Sequence, residues 1–286
     1  MLNRPTPLDL LVVGGLTVDY FGERSAAGGS VLHATRAGVH AGLRLAALTA
    51  ADSEPDAIAG LAEIAAAGRL LNEPAATTIG FGHRETPSGR VLTFEARGAS
   101  ITISADQIDS LQPDAVLLAP VAAEIDPPAL ASSAGDAAHP LRAAILQGWL
   151  RVLEVGRVVR PLPLGRLPAE LVAALSELAL LVASREDLQA DASDPQAQLV
   201  ALRSAIGPGP ILIVTDGVEG AWFDAAEGIG HVPVPFRVDD VPTVGAGDAY
   251  AAILAVRLAA GSVRLRDAMA DAARAAAEIL AARRIA

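Results

Sequence analysis

"VPTVGAGDAYAA", residues 241–252, sets two glycines around an alanine and places Asp248 directly after them. Upstream, "HVPVPF" is extended and broken by prolines. Downstream, "AYAAILAVRLAAG" carries apolar residues at helical spacing up to a closing Gly261. The stretch therefore reads as a loop running into a helix N-terminus. Such an end has unpaired N–H groups and a partial positive charge, and glycine lets a ligand approach the backbone closely. The amides of Gly245, Ala246 and Gly247 are thus candidates for an anion site with Asp248 beside it. Aspartate is also common in any first helical turn and glycine in any loop, so the local pattern alone leaves both readings open.

Around this stretch lie short apolar runs that end in small or polar residues: 10–15, 43–50, 115–120, 143–148, 178–184 and 211–217. These have the character of buried parallel strands. Helical patterns at 29–42, 55–68, 167–178 and 194–206 alternate with them, which predicts a layered α/β fold with ligands at the carboxyl ends of the strands. Residues 17–27 and 77–104 break the pattern. They alternate β-branched or aromatic residues with polar ones and carry turn signals at "TPSGR" and "ARGAS", which predicts an antiparallel flap beside the strand ends or, equally simply, surface hairpins. The alanine-rich segment 263–284 reads as a packing helix.

The 286 residues suffice for one large domain with its own core. All 22 basic residues are arginine and none is lysine, which removes the P-loop lysine, the protein-kinase strand lysine and Schiff-base chemistry. Any phosphate must be held by backbone amides, arginine or metal. The absence of cysteine excludes disulfides and thiol catalysis, and the histidines at 33, 40, 83, 139 and 231 form no metal-binding motif. Net charge of −11 with scattered arginines argues against nucleic-acid binding, and no apolar run has the length of a membrane span. The chain reads as a soluble cytoplasmic protein.

"GGLTVD" after the first strand, "GGSVLHA" opening a helix, "VTDGVEGA" on a late strand and "TVGAGDAY" at a helix start together resemble the ribokinase-like (PfkB) carbohydrate kinases over nearly the whole chain. The resemblance implies a single three-layer αβα domain, 1–286, with a mainly parallel central sheet and a β lid formed by about 17–27 and 77–104. It implies phosphoryl transfer from ATP with Mg2+, with Asp248 as general base and Gly245, Ala246 and Gly247 as anion hole. A base-activated alcohol attacking a phosphate cradled by pre-aimed amides is what those residue types serve. By the same resemblance Asp19, Gly28, Gly29 and His33 bind a sugar or polyol, and Ser184, Thr215, Gly217, Gly220 and Thr243 lie at the nucleotide. Asp187 would act on the metal through water, and a homodimer through the lid is left open.

Four positions depart from the family pattern. His33 and Ser184 stand where asparagine is usual, Asp187 replaces a glutamate, and Pro242 replaces the aspartate that begins D-T-x-G-A-G-D. That aspartate helps some members bind an activating monovalent cation. Proline has no side-chain oxygen to offer, which implies little potassium dependence beside a strict need for magnesium. "ILQGWLR", ending at Arg151, is similar to segments of inositol-kinase-like branches. The competing readings are a nucleoside kinase of the same family and a non-catalytic sugar or nucleotide sensor. A dinucleotide-dependent dehydrogenase is weaker, since "VVGGLTVD" lacks a G-x-G-x-x-G.

Overall fold

The computed structural model describes residues 7–86, 89–126, 140–189, 191–239 and 241–283. The expected lid turn at 87–88, His139 and the last residue of the predicted 263–284 helix lie outside them.

Period-2 alternation in the first strand, Leu8–Gly14, explains the layering. Leu10 and Val12 face one core and Leu11 and Val13 the other, all fully buried. A strand apolar on both faces needs cover on both. The first core receives the helices Ser30–His40, Pro55–Ala67, Ala246–Ala259 and Leu265–Ala282. The second receives Ala105–Leu111, Ala169–Ser176 and Pro195–Ile206. The result is a three-layer α/β domain.

The central sheet has nine strands. Leu8–Gly14 lies inside it, flanked by Leu45–Ala51 and then Arg69–Pro74 on one side. On the other side follow Pro113–Ala119, Leu141–Ile145, Leu180–Ser184, Ile211–Thr215, Ala221–Ala225 and Gly228–Val232. All pairings are parallel except the two at the last edge.

A separate five-stranded sheet rises from this layer: Thr17–Phe21, Arg24–Gly28, Ile79–Thr86, Gly89–Ala96 and Arg157–Val158. It differs from the flap read in the sequence in three respects. Thr17–Phe21 pairs parallel with Ile79–Thr86, because both leave the main sheet in the same direction. Residues 97–104 fall outside it: Ile101 and Ile103 are buried in the second main core, and Ile101 forms a parallel bridge with Ile125. Their alternating pattern serves the body of the protein. The strand Arg157–Val158 completes the small sheet against Gly89–Ala96.

The helix Ala246–Ala259 lies at the centre of the first core. Seven consecutive residues, Ala249–Ala255, are buried, since alanine lets the sheet, the Ser30–His40 helix and the Leu265–Ala282 helix all approach closely. The Asp248 end of this helix is therefore held by packing on several sides.

Candidate active site

The carboxyl ends of the central strands open into a cleft of about 910 Å³, roofed on one side by the small sheet. At its middle stands the helix start predicted from the sequence. Gly245, the N-cap, has φ 82°, and a Cβ there would collide with the His33 ring. Gly245→Ala should therefore lower stability by about 2 kcal/mol or more, from left-handed strain plus overpacking. A fall of several degrees in melting temperature checks this, and an unchanged Tm would contradict it.

The Ala246 amide donates to the Thr243 carbonyl at 3.1 Å and closes the turn. It is thus withdrawn from the expected anion-binding trio. Gly247 and Asp248 sit in the first helical turn, where amides have no intrahelical acceptor, and they line the cleft with Gly245. The amides of this turn left for an anion are therefore those of Gly245, Gly247 and Asp248, with Asp248 in place of Ala246.

On the lid side, Asp19 is buried, and its Oδ1 accepts from the Thr17 hydroxyl at 2.9 Å. Gly28 backs it without reaching the cleft: a Cβ at this position would clash with the Asp19 carboxylate. Gly29, Ser30 and His33 line the cleft beside Asp19. Burial pushes the His33 pKa down, and the Asp248 carboxylate opposes that shift. His83, which the sequence did not single out, places Nε2 3.5 Å from Asp19 Oδ1 and stacks on Phe21 with ring centroids 4.6 Å apart. Ser30 Oγ, His33 Nδ1 and both ring nitrogens of His83 are buried without a hydrogen-bond partner. Buried polar atoms normally have partners, and all four of these belong to residues that line the cleft with Asp19, so a ligand rich in hydroxyls bound there would supply the missing bonds.

Arg151 projects into the same cleft from the segment after Leu141–Ile145. Its guanidinium donates to the Val121 carbonyl at 3.3 Å and lies 5.8 Å from the Phe81 ring centre. Burial pulls its pKa down, while Asp187 and Asp248 support its charge; no carboxylate of the described residues forms an ion pair with it. A partly buried cation without a counterion is costly unless an anion arrives to meet it. Beneath it, Glu124 pins the loop by accepting from the Val121 and Ala122 amides at 2.7–3.1 Å.

At the other end, Ser184 and Asp187 bind each other. The Ser184 hydroxyl and amide donate to Asp187 Oδ2 at 2.8 and 3.0 Å, and the Asp187 amide donates back to Ser184 Oγ at 3.1 Å. The Ser184 hydroxyl is thereby committed to the turn. Thr215, Gly217 and Thr243 line this end of the cleft and also a smaller adjoining cavity of about 190 Å³. Gly220 opens only onto the smaller one, whose walls include Val218, Val234, Phe236, Tyr250 and Leu280. The Tyr250 hydroxyl is buried there without a partner, and burial drives its pKa upward.

His83 and the apolar cavity left no local signal in the sequence. The first depends on strand pairing in the small sheet, the second on residues from four separate segments. Arg151 had one, the "ILQGWLR" segment that resembles inositol-kinase-like branches.

The pattern of the pfkB family of carbohydrate kinases matches residues 84–284. The fold is similar to that of a pyrophosphate-dependent kinase in the ribokinase family, solved with a pyrophosphate analogue and myo-inositol, at 14% identity over 95% of each chain and a TM-score of 0.77. It is similar also to Arabidopsis thaliana ribokinase solved with ribose and ATP, at 15% identity over 96% of this chain and 93% of that one, TM-score 0.71. Adenosine kinase from Sinorhizobium meliloti aligns at 16% identity over 98% of this chain and all of its own (100%), TM-score 0.72. No curated protein sequence matches the chain.

Proposed function

Because the chain belongs to the pfkB family of carbohydrate kinases, we propose that it transfers the terminal phosphoryl group of ATP to a hydroxyl of a sugar or cyclic polyol. The observation that carries this reading is the set of orphaned polar atoms on Ser30, His33 and His83, which line the same cleft as Asp19, Asp248 and the free amides of its turn. Asp248 takes the proton of the acceptor hydroxyl, whose oxygen attacks the γ-phosphorus. The bond to the β–γ bridging oxygen breaks, and ADP leaves with that electron pair. The amides of Gly245, Gly247 and Asp248, joined by Arg151, meet the charge that develops on the transferring group. In a chain without lysine the cations that line the cleft are Arg90, Arg151 and Arg185, and Arg151 is the one of the three that is not exposed.

No three histidine or acidic side chains of the described residues cluster as a metal site. The arrangement suits a Mg2+ carried in on the nucleotide, which Asp187 would hold through water; it would neutralise phosphate charge. The small sheet acts as a lid that keeps water from the reacting phosphate.

The acceptor end has little to offer a nucleobase. Phe81 is approached by the Arg151 guanidinium and Phe94, and Phe21 is covered by His83. The donor end favours a nucleotide over pyrophosphate, since the apolar cavity beside Thr215 and Gly247 has the character of a base site. The test is phosphate-donor consumption with magnesium across free sugars, inositols and nucleosides, with ATP and pyrophosphate compared as donors. Turnover of a sugar or inositol with ATP is expected. Pyrophosphate as the better donor, or a nucleoside as the better acceptor, would overturn the corresponding half of the reading.

A further inference from the structure

Arg283 is the C-cap of the final helix, Leu265–Ala282, and its Nη1 is shared between two carbonyls of the loop that enters the GAGD turn. It donates to Pro242 at 2.8 Å and to Val244 at 2.7 Å. No described carboxylate forms an ion pair with it, and burial and the nearby Arg36 both disfavour its charge. The protein therefore keeps a partly buried cation whose described hydrogen bonds go to carbonyl oxygens of one short loop. That loop is poor in bonds of its own: Pro242 lacks an N–H, and the Ala246-to-Thr243 bond is what closes the turn. The direction of the Gly245 amide is thus fixed by the buried helix on one side and by the Arg283-held carbonyls on the other.

We propose that Arg283 is a built-in cation that positions the phosphate-binding turn, acting through the Pro242 and Val244 carbonyls without touching either substrate. The proposal rests on the reading of that turn as the phosphate site. Two carbonyl oxygens converging on one positive charge are also a donor set for a monovalent ion, which such oxygens coordinate in place of water. Removing the guanidinium should consequently leave a place that a small cation from solution can fill.

Arg283→Ala, Arg283→Lys and the unaltered protein are compared in two measurements. Amide hydrogen exchange of the free protein reads the turn directly: the Ala246 and Ala249 amides, bonded to the Thr243 and Gly245 carbonyls, should exchange faster in Arg283→Ala, while the central sheet is unchanged. Kinetics with Mg·ATP and the best acceptor should show kcat about tenfold lower with little change in acceptor KM. That is less than the roughly 10²-fold that a 1 Å misplacement can cost. Guanidinium or potassium chloride should restore much of the loss relative to tetramethylammonium chloride at equal ionic strength. The unaltered protein should not respond, and lysine should retain most of the rate. Unchanged exchange of the Ala246 and Ala249 amides would overturn the proposal whatever the kinetics show. So would a loss of kcat that no cation relieves and that follows a lowered Tm, since that is a merely structural role. If the unaltered protein phosphorylates no alcohol, the functional reading falls, and the exchange measurement still decides whether Arg283 orders the turn.

Discussion

Replacing Asp248 with asparagine should lower kcat by about 10³-fold while leaving the fold and ATP binding in place, the scale expected when a general base is lost. The substitution is nearly isosteric, and the helix that carries it is held by the buried run Ala249–Ala255, so the position of residue 248 should not move. Asparagine keeps the backbone amide that the turn offers to phosphate and removes only the proton acceptor. The expected signature is therefore a collapse of kcat with acceptor KM and nucleotide Kd close to their original values. Melting temperature and ATP binding by calorimetry provide the controls. A variant with kcat within a few-fold of the original would remove Asp248 from proton transfer.

The second large effect is expected at Arg151, where activity and stability should move in opposite directions. Arg151→Met preserves much of the volume over Phe81 but removes the charge facing Asp187 and Asp248. Losing one preorganised group that meets developing phosphoryl charge costs about 10²-fold in kcat. The same change relieves a partly buried guanidinium that lacks an ion-pair partner, and replacing a poorly solvated charge with an apolar side chain is often neutral or stabilising. The expected result is thus a lower kcat with an equal or higher Tm. If kcat holds and Tm falls by many degrees, Arg151 is a structural arginine serving the Val121 loop.

Six of the nine central strands were legible because doubly buried strands are written as continuous apolar runs; the strands Arg69–Pro74, Ala221–Ala225 and Gly228–Val232 towards the sheet's edges and the short helix Ala105–Leu111 were not. Leu10–Val13 and Ile211–Val214 are two that local pattern alone identifies. The glycine–aspartate turn was legible for a similar reason, since its residues are adjacent in the chain. What escaped depends on pairing between distant segments. His83 meets Asp19 only through the parallel register of Thr17–Phe21 with Ile79–Thr86. Arg157–Val158 is two residues long and has no pattern to detect. Residues 97–104 alternate like a lid strand, yet Ile101 and Ile103 spend that alternation on the main core. Arg283 lies 41 residues from Pro242 in the chain, and nothing local links them.

The order of the central sheet has a consequence for how the protein is made. From Leu8–Gly14 towards the far edge, each added strand comes later in the chain: Pro113–Ala119, Leu141–Ile145, Leu180–Ser184, Ile211–Thr215, Ala221–Ala225 and Gly228–Val232. A ribosome delivers segments in that same direction, and domains begin to organise as they emerge. The wall bearing Asp19 and most of the small sheet is therefore synthesised first, while the turn bearing Asp248 and the arginine that steadies it come last. A nascent chain halted before residue 241 has the segments on which the proposed function places the acceptor and lacks the turn that carries Asp248, so on that reading phosphoryl transfer waits for residues 241–283.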